Sequence, residues 1–344
     1  MIQPKLEIDF SASKRRAFLE ANNEYSPQIN EFLFNHNRSA IQFILNLLEI
    51  KGDQVAVLAY NCHTVMNAVH QAGGTPIFID VDRKLHMDID DLKRKNEIFH
   101  FSAVIVTHLF GIYNDIDSIR QIINVPIIED CAHAYLSPNC GTKGDFAVYS
   151  IGQGKLPSIG DGGICIVNNP CYIEKFTSSF IEIPDYSLSE RLSLCGHLAI
   201  KHMCYKPFIY PILKTIGKHQ RVRVIEPVKI RKMDKGISTL YNECGQNLSK
   251  IICQRQGQAM KTIRSLSEVK ANPLINPKDT NCFMLPLDCE NIVPVRIYFR
   301  KKRIETATHF DRCIEWAKNF GYEDGDCPNA EYFTKHLLVV PTYR

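Results

Sequence analysis

The sequence lacks long apolar runs. No stretch approaches the ~20 consecutive apolar residues of a membrane-spanning helix, and the first residues lack the basic-then-apolar order of a signal peptide. The most apolar segment of doubtful character, residues 192–216, is interrupted by lysines and prolines, including Lys201 and Pro207. We expect an interior or interfacial helix there rather than membrane contact, and a soluble protein overall.

An excess of one charge is also missing. The chain has 41 lysines and arginines against 37 aspartates and glutamates, a formal net charge of +4, which predicts no general affinity for nucleic acid. Its 13 cysteines are odd in number and unevenly spaced, unlike the disulfide framework of a small secreted domain. Reduced thiols and a cytoplasmic location are expected.

What the sequence does contain is a repeated alternation of short apolar strands and helices. The alternation predicts a mainly parallel sheet with helices on both faces, and ligands then gather beyond the carboxyl ends of the strands. Strands are predicted over residues 55–58, 76–79, 103–106, 125–128, 146–150 and 164–167, and helices over 38–50, 65–71 and 115–123.

The length of 344 residues favours two domains. We expect a large α/β domain over residues 1–180, a connector with helical pieces over 181–235, and a smaller C-terminal α+β domain over 236–344. Within that C-terminal part, helices are predicted over 237–266, 306–320 and 329–336 and a strand over 293–299.

Lys155 follows the predicted strand 146–150 in a glycine-rich segment that continues to Gly160-Asp161-Gly162-Gly163. This position is at the carboxyl edge of the predicted sheet, and glycines there let the backbone approach a bulky ligand. A lysine amine can form a Schiff base with a carbonyl cofactor when burial or nearby positive charge lowers its pKa. A lysine in such a loop is otherwise an exposed surface residue, so its neighbours decide the interpretation.

Asp130 lies at the end of the strand predicted near 125–128 and therefore at the same edge of the sheet. A carboxylate there can keep a pyridinium nitrogen protonated, which makes the ring an electron sink; the alternative is an ordinary helix N-cap. His133 can hydrogen-bond a phenolic oxygen of the same ligand or serve as a packing residue. Both alternatives stay open at this point.

Two serines suit a phosphate group. Ser39 lies near a predicted helix start and Ser150 directly before the lysine loop, and free backbone N–H groups and the helix dipole favour an anion at such places. Helix capping explains Ser39 equally well.

Four segments, in this order and spacing, carry a family resemblance. They are Thr107-His108-Leu109-Phe110-Gly111, Ile127-Ile128-Glu129-Asp130-Cys131-Ala132-His133-Ala134, Gly144-Asp145-Phe146 through Lys155, and Gly160-Asp161-Gly162-Gly163. Together they resemble the DegT/StrS (DegT/DnrJ/StrS) family of PLP-dependent nucleotide-sugar aminotransferases. The resemblance covers about residues 35–169 and returns weakly near 233–255 and 327–341.

The resemblance implies an α/β fold of fold type I with pyridoxal 5'-phosphate (PLP) as cofactor. It also implies that Lys155 holds the PLP, that Asp130 pairs with its ring nitrogen and that His133 contacts its phenolic oxygen. By the same resemblance, the phosphate is bound by Ser150, Ser39 and the backbone amide of Ala40.

The family resemblance further implies a homodimer that takes an amino group from an amino acid, with glutamate the expected donor, and gives it to a nucleotide-linked keto-sugar for a bacterial polysaccharide or other glycan. Sugar dehydratases with related sequences carry histidine at the position of Lys155, so the lysine favours transamination. Another keto-substrate would be equally compatible with these residues.

Two positions depart from the family pattern. Cys62 stands where the family places an aromatic ring stacked on the cofactor, with Tyr60 or His63 as possible substitutes. Ile230 stands where an asparagine of the neighbouring subunit reaches the phosphate, and a basic side chain there could take its place. These departures motivate an alternative of a different class, a noncatalytic regulatory protein that keeps the fold.

Overall fold

The structure is a computed structural model that describes residues 12–21, 30–204, 223–245 and 247–343. Its helices are α1 (Ala12–Glu20), α2 (Asn37–Leu47), α3 (His63–Gln71), α4 (Ile89–Phe99), α5 (Ile116–Arg120), α6 (Ile173–Ile181), α7 (Leu188–Cys204), α8 (Lys235–Gly245), α9 (Leu248–Arg264), α10 (Ile292–Lys301), α11 (Cys313–Ala317) and α12 (Pro328–His336). Its strands are β1 (Glu31–Phe34), β2 (Gln54–Leu58), β3 (Thr75–Ile79), β4 (Ala103–Thr107), β5 (Ile127–Asp130), β6 (Phe146–Ser150), β7 (Gly163–Val167), β8 (Asn272–Pro273), β9 (Leu285–Asp288) and β10 (Leu337–Val340).

The larger sheet has seven strands in the order β1-β7-β6-β5-β4-β2-β3. Five neighbouring strands, β3, β2, β4, β5 and β6, pair in parallel. Strand β7 is antiparallel to both β6 and β1. The central strands β4, β5 and β6 are buried along their whole length, as parallel strands covered on both faces must be. The predicted mainly parallel α/β sheet is confirmed.

Helix α2 shows why the apolar spacing is a reliable signal. Ile41, Ile44 and Leu45 are fully buried, and the helix packs against α3 and against β7. The face chosen by the period of 3.6 residues is therefore the face that the core covers. The helix ends at Leu47, and Leu48 follows it as the C-cap.

The strand predicted over residues 293–299 is wrong, because this stretch is helix α10. The side chain of Asn291 accepts a hydrogen bond from the backbone N–H of Val293 at 2.9 Å and so caps the helix start. Val295 and Phe299 are buried one turn apart, while Val293 faces solvent. The alternation of β-branched residues resembles the pattern of a strand and led to the wrong prediction. The N-cap and the buried positions at i and i+4 are those of a helix.

The helix predicted over residues 306–320 is wrong in its first half. Only α11 and a following 3-10 turn are helical there, and Ala307 instead bridges Val339 of β10 in antiparallel fashion. The helix predicted over 237–266 is divided into α8 and α9, and the one over 329–336 is confirmed as α12. The irregular run before α11 contains His309.

Helix α7 covers part of the apolar segment 192–216, and residues 205–216 lie outside the described ones. Among the described residues, no helix has the length and apolar character needed to cross a membrane. The smaller sheet, in the order β10-β9-β8, is antiparallel and lies in the part predicted as a C-terminal α+β domain. The domain boundaries themselves stay a prediction.

Candidate active site

Three neighbouring strands end with polar side chains at one edge of the large sheet. Thr107 ends β4, Asp130 ends β5 and Ser150 ends β6, and the parallel pairing of these strands brings their carboxyl ends together. This edge is where open α/β sheets bind ligands.

Asp130 is buried and held by several donors. Its Oδ1 accepts hydrogen bonds from Asn37 Nδ2 at 3.0 Å and from the backbone N–H of Ala132 at 3.1 Å, and its Oδ2 accepts one from the Thr107 hydroxyl at 3.2 Å. A buried carboxylate needs such partners. The alternative interpretation as a helix N-cap does not hold, because turns rather than a helix follow Asp130.

Lys155 lies in the loop after β6, where its backbone N–H donates to the Gly152 carbonyl at 3.2 Å. Burial lowers the pKa of its amine from the ordinary value, and the negative charges of Cys62 and Asp130 oppose that shift only partly. The amine lies 5.7 Å from the centre of the Phe283 ring. Formation of a Schiff base requires an uncharged amine, and the burial of Lys155 makes its amine easier to deprotonate despite the charge of Asp130.

His133 is packed between two aromatic rings. Its imidazole stacks on Phe283 with ring centres 4.5 Å apart and on Phe310 with centres 5.6 Å apart. Burial above all, then the charges of Lys155 and His309, hold its pKa well below the ordinary value, so the ring is neutral. Because Nδ1 accepts the backbone N–H of Phe110 at 3.4 Å, the proton is assigned to Nε2, which leaves Nε2 as a hydrogen-bond donor.

His309 is a site residue that the sequence did not predict. Its ring centre lies 5.2 Å from that of His133, and burial together with the charge of Lys155 lowers its pKa to about 3. Its Nε2 is buried and has no hydrogen-bond partner among the described residues. His309, Phe310 and Phe283 all come from the C-terminal part of the chain, and no local motif in the sequence marked them.

The two serines are found in different surroundings. Ser150 is 9% exposed, and its Oγ accepts the backbone N–H of Gly152 at 3.4 Å. The buried hydroxyl of Ser39 donates to the Lys229 carbonyl at 3.3 Å, and the amide of Ala40 donates to the His36 carbonyl at 3.2 Å. The groups expected to bind a phosphate near α2 therefore already have partners within the chain.

One of the glycines after the lysine loop, Gly163, lies in close contact with the backbone at the start of α2. A Cβ built on Gly163 would lie 2.4 Å from backbone atoms of His36 and Asn37, so only glycine fits beside the start of α2. His36 also pairs with Asp161, Nδ1 to Oδ1 at 2.6 Å. These contacts bring the start of α2 to the Gly160–Gly163 loop.

Cys62, the position of the expected stacking ring, is the N-cap of α3. Its Sγ accepts a hydrogen bond from the Thr64 hydroxyl at 3.1 Å and lies 4.0 Å from His63 Nδ1. Burial raises the pKa of the thiol, but hydrogen bonds and the charges of His63 and Lys155 outweigh it and lower the pKa to about 7. A thiolate at this place is readily formed at neutral pH.

Neither proposed substitute for the stacking ring is free to move. The Tyr60 hydroxyl donates to the His309 carbonyl, and its ring meets Phe310 edge-on at 5.9 Å. The His63 ring packs edge-on against Trp316 at 4.9 Å.

Ile230 is half-buried in a segment that runs beside β1 of its own chain. The Arg231 carbonyl accepts the backbone N–H of Asn35 at 3.0 Å, and the Lys229 carbonyl accepts Asn35 Nδ2 at 2.8 Å. Of the nearby basic side chains, Arg231 pairs with Glu190 at 3.5 Å and the Lys232 amine donates to the Ile181 carbonyl at 3.1 Å.

The model of the DegT/DnrJ/EryC1/StrS aminotransferase family matches residues 14–196, which is more than half of the chain. The chain belongs to this family. It is therefore a PLP-dependent aminotransferase, and the resemblance stated from the sequence motifs is confirmed.

Two curated relatives show how much of this chain and of theirs the similarity covers. A GDP-perosamine synthase of Escherichia coli O157:H7 is 28% identical over 178 residues, which is 48% of this chain and 48% of the relative. The spore coat polysaccharide biosynthesis protein SpsC of Bacillus subtilis is 23% identical over 304 residues, which is 85% of this chain and 75% of the relative.

Among solved structures, the GDP-4-keto-6-deoxy-D-mannose-3-dehydratase of E. coli with bound hydrated PLP superposes with a TM-score of 0.71 at 15% identity, covering 100% of this chain and 96% of its own. The fold is thus that of the fold type I PLP-dependent enzymes. Because the neighbour is a dehydratase, the fold alone does not choose between transamination and dehydration.

The residues at the sheet edge fit a PLP molecule. A lysine with a lowered pKa, a buried carboxylate and a neutral histidine converge there, together with the Nε2 of His309, which has no hydrogen-bond partner among the described residues. Such buried polar groups cost free energy without a partner, and a ring with a carbonyl, a basic nitrogen and a phenolic oxygen would supply partners.

Proposed function

We propose that this aminotransferase transfers an amino group from an amino acid, with glutamate as the donor, to a nucleotide-linked keto-sugar in the synthesis of a bacterial polysaccharide or other glycan. The observation that carries the proposal is the position of Lys155 in the loop after β6, next to the end of β5 where the buried Asp130 lies. The names of two relatives, a GDP-perosamine synthase and a spore coat polysaccharide biosynthesis protein, support a sugar as the acceptor.

In this proposal, Lys155 binds PLP covalently and Asp130 holds a proton on its ring nitrogen. Bound PLP supplies a ring that takes up the electrons left behind when a proton leaves the α-carbon of the amino acid. His133 donates a hydrogen bond from Nε2 to the phenolic oxygen, which fixes the orientation of the ring. Ser150 binds the phosphate, and Ser39 and the amide of Ala40 bind it once they leave the Lys229 and His36 carbonyls.

Lys155 also moves the proton. Its amine is uncharged more readily than that of an exposed lysine, so Nζ can accept the proton from the α-carbon of the donor amino acid and deliver it to the C4′ carbon of the cofactor. Related sugar dehydratases carry histidine at this position, so the presence of Lys155 favours transamination over dehydration.

We further propose that the protein works as a homodimer in the cytoplasm. All thirteen cysteines are free thiols, as expected in a reducing compartment. The partner subunit would come close to the phosphate near Ile230, whose surroundings include Lys229 and Arg231.

Borohydride reduction followed by peptide mass spectrometry tests the assignment of the lysine. We expect one phosphopyridoxyl group on the peptide that contains Lys155 and none in the Lys155→Ala protein; Lys201→Ala, which removes a second partly buried lysine, serves as the control and should keep the label. A label on another lysine in the unaltered protein would overturn the assignment.

Absorbance spectroscopy of the holoenzyme tests the reaction. Glutamate alone should convert the cofactor from its pyridoxal to its pyridoxamine form, and a nucleotide-linked keto-sugar should convert it back. Cofactor that binds but never changes with any amino donor would support the noncatalytic regulatory alternative, and recovery by a simple keto-acid but by no keto-sugar would support a different acceptor.

A further inference from the structure

Helix α10 carries a dense group of positive charges on the surface of the C-terminal part. Between Glu290 and Glu305 the chain has five lysines and arginines and no aspartate or glutamate. All five are exposed, namely Arg296, Arg300, Lys301, Lys302 and Arg303. The proposed reaction at the edge of the large sheet uses none of these side chains.

Helix α10 has a buried side and an exposed side. Val295 and Phe299, one turn apart, are its buried residues. Because each residue of an α-helix is rotated by about 100° from the one before, the opposite side is formed by five other residues, all of them exposed: Val293, Arg296, Ile297, Arg300 and Lys301. We call this set the α10 face.

The centre of the α10 face is apolar. Val293 is 57% exposed and Ile297, one turn further on, is 49% exposed. Arg296 and Arg300 lie on one side of this pair and Lys301 on the other, by the same rotation. Exposed apolar side chains that occur singly need no explanation. Two neighbours between three cations suit a partner that offers apolar and anionic groups together.

The three cations of the α10 face have no ion pair or hydrogen bond of their side chains with any described residue. Lys302, on the other side of the chain, does have one, since its amine lies 3.3 Å from Glu268 Oε1. The helix dipole favours Arg300 and Lys301 in the last turn. It does not account for Arg296, which lies one turn earlier and is repelled by Arg300.

An anionic phospholipid bilayer offers the required combination. Its phosphates lie at the level where arginine and lysine side chains end, and its acyl boundary lies beneath them, within reach of short apolar side chains. Helix α10 has ten residues, too few to cross a bilayer, so it would lie on the surface. Nucleic acid would pair with the cations but offers less to valine and isoleucine, and the formal net charge of +4 gives no general attraction to it.

We propose that the α10 face docks the enzyme reversibly on the surface of an anionic phospholipid bilayer. Arg296, Arg300 and Lys301 contact the lipid phosphates, while Val293 and Ile297 enter the boundary between headgroups and acyl chains. The inference concerns where the enzyme works and does not depend on which keto-substrate it uses.

Sedimentation of the holoenzyme with phospholipid vesicles tests the proposal. We expect binding to vesicles of equal parts phosphatidylglycerol and phosphatidylcholine and none to vesicles of phosphatidylcholine alone. Raising the salt concentration from about 0.1 M to about 0.5 M should weaken the binding, because salt screens the attraction between exposed charges. Absence of binding to the anionic vesicles, or equal binding to both kinds, would overturn the proposal.

A pair of matched variants tests the position of the contact. Arg296→Gln/Arg300→Gln should lower the partition coefficient on anionic vesicles about tenfold or more, since each basic side chain near an anionic surface strengthens binding about fivefold. Lys302→Gln removes a charge from the same run but from the opposite side and should change the coefficient by less than about twofold. Equal losses in the two proteins would show that net charge matters and that the α10 face does not.

The apolar centre distinguishes a bilayer from other polyanions. Ile297→Ser should weaken binding to anionic vesicles several-fold, because less apolar surface leaves water, and a DNA duplex serves as a polyanion without an apolar layer. Unchanged vesicle binding in Ile297→Ser, or binding of the unaltered holoenzyme to DNA as tight as to the vesicles, would refute docking on a bilayer. Thermal unfolding of each variant, expected to match that of the unaltered protein, shows that the fold is kept.

Discussion

The Thr107 hydroxyl donates a hydrogen bond to Oδ2 of Asp130 across two neighbouring parallel strands, over 3.2 Å. The same hydroxyl accepts Nδ2 of Asn61 at 2.9 Å, so the orientation of the carboxylate is fixed by a short chain of polar side chains at the ends of β2, β4 and β5. The acid proposed to pair with the cofactor is thus held in place before any ligand arrives.

Asp130→Asn should keep the fold and PLP binding but slow the glutamate half-reaction about 10²-fold, because a neutral amide cannot hold a proton on the ring nitrogen. Thr107→Val should have a smaller effect in the same direction, since it only loosens the carboxylate. Stopped-flow absorbance measures both rates, with the exposed Asp90→Asn as the control. An unchanged rate in Asp130→Asn would remove this carboxylate from the mechanism.

Cys62 should react with iodoacetamide in a pH-dependent way. Since its thiol has a pKa lowered to about 7 and the thiolate is the nucleophile, the rate should rise with pH and reach half its maximum near pH 7. Lys155→Met should move that midpoint to higher pH, because it removes a positive charge that stabilises the thiolate. Mass spectrometry of the Cys62 peptide follows the rate, with the exposed Cys171 as an accessibility control; a midpoint unaffected by the lysine substitution would contradict the coupling.

His309→Phe should leave stability unchanged or raise it by up to about 1 kcal/mol, because the substitution removes a buried nitrogen that has no hydrogen-bond partner among the described residues. Turnover with the keto-substrate should fall at the same time, since the nitrogen lies in the proposed reaction site. Thermal unfolding and kcat/KM measure the two effects. A clear loss of stability would show that His309 supports the fold instead.

Glu129 should make the protein sensitive to acid. Burial raises the pKa of this carboxyl, but the hydrogen bond and charge of His108 and the backbone N–H groups of Gly144 and Gly141 lower it below 4.5 overall. Its stabilising effect is therefore complete above about pH 4.5 and is lost as the pH falls through the lowered folded value.

The corresponding variant is Glu129→Ala, which should cost about 3–5 kcal/mol because it leaves buried donors without an acceptor. Urea unfolding over a pH series checks both expectations, with the exposed Glu323→Ala as the control. If the pH dependence of stability were the same in Glu129→Gln as in the unaltered protein, another group would be responsible for it.

The sequence predicted the large sheet and its polar edge well, for a physical reason. Apolar runs such as those at 103–106 and 146–150, alternating with helical segments, are typical of a parallel sheet covered on both faces, and this pattern places Asp130 and Lys155 near the same edge. Local patterns therefore carried the information for this half of the site.

The other half of the site could not be predicted in this way. His309, Phe310 and Phe283 reach His133 from more than 140 residues further along the chain, and their positions depend on how the C-terminal segments pack. The misassigned strand at 293–299 and the half-wrong helix at 306–320 have the same origin, because alternation and apolar content in short windows do not report which face the core will cover.

The Lys229 carbonyl has a consequence for cofactor uptake. It accepts hydrogen bonds from both Asn35 and the hydroxyl of Ser39, a residue 190 positions earlier in the chain. A phosphate that takes the hydrogen bond of Ser39 must displace this carbonyl, so the affinity for PLP would depend partly on how firmly the irregular segment around Lys229 is bound to the first turn of α2. Weakening the contacts of that segment, rather than changing the serine, is then the route to tighter cofactor binding.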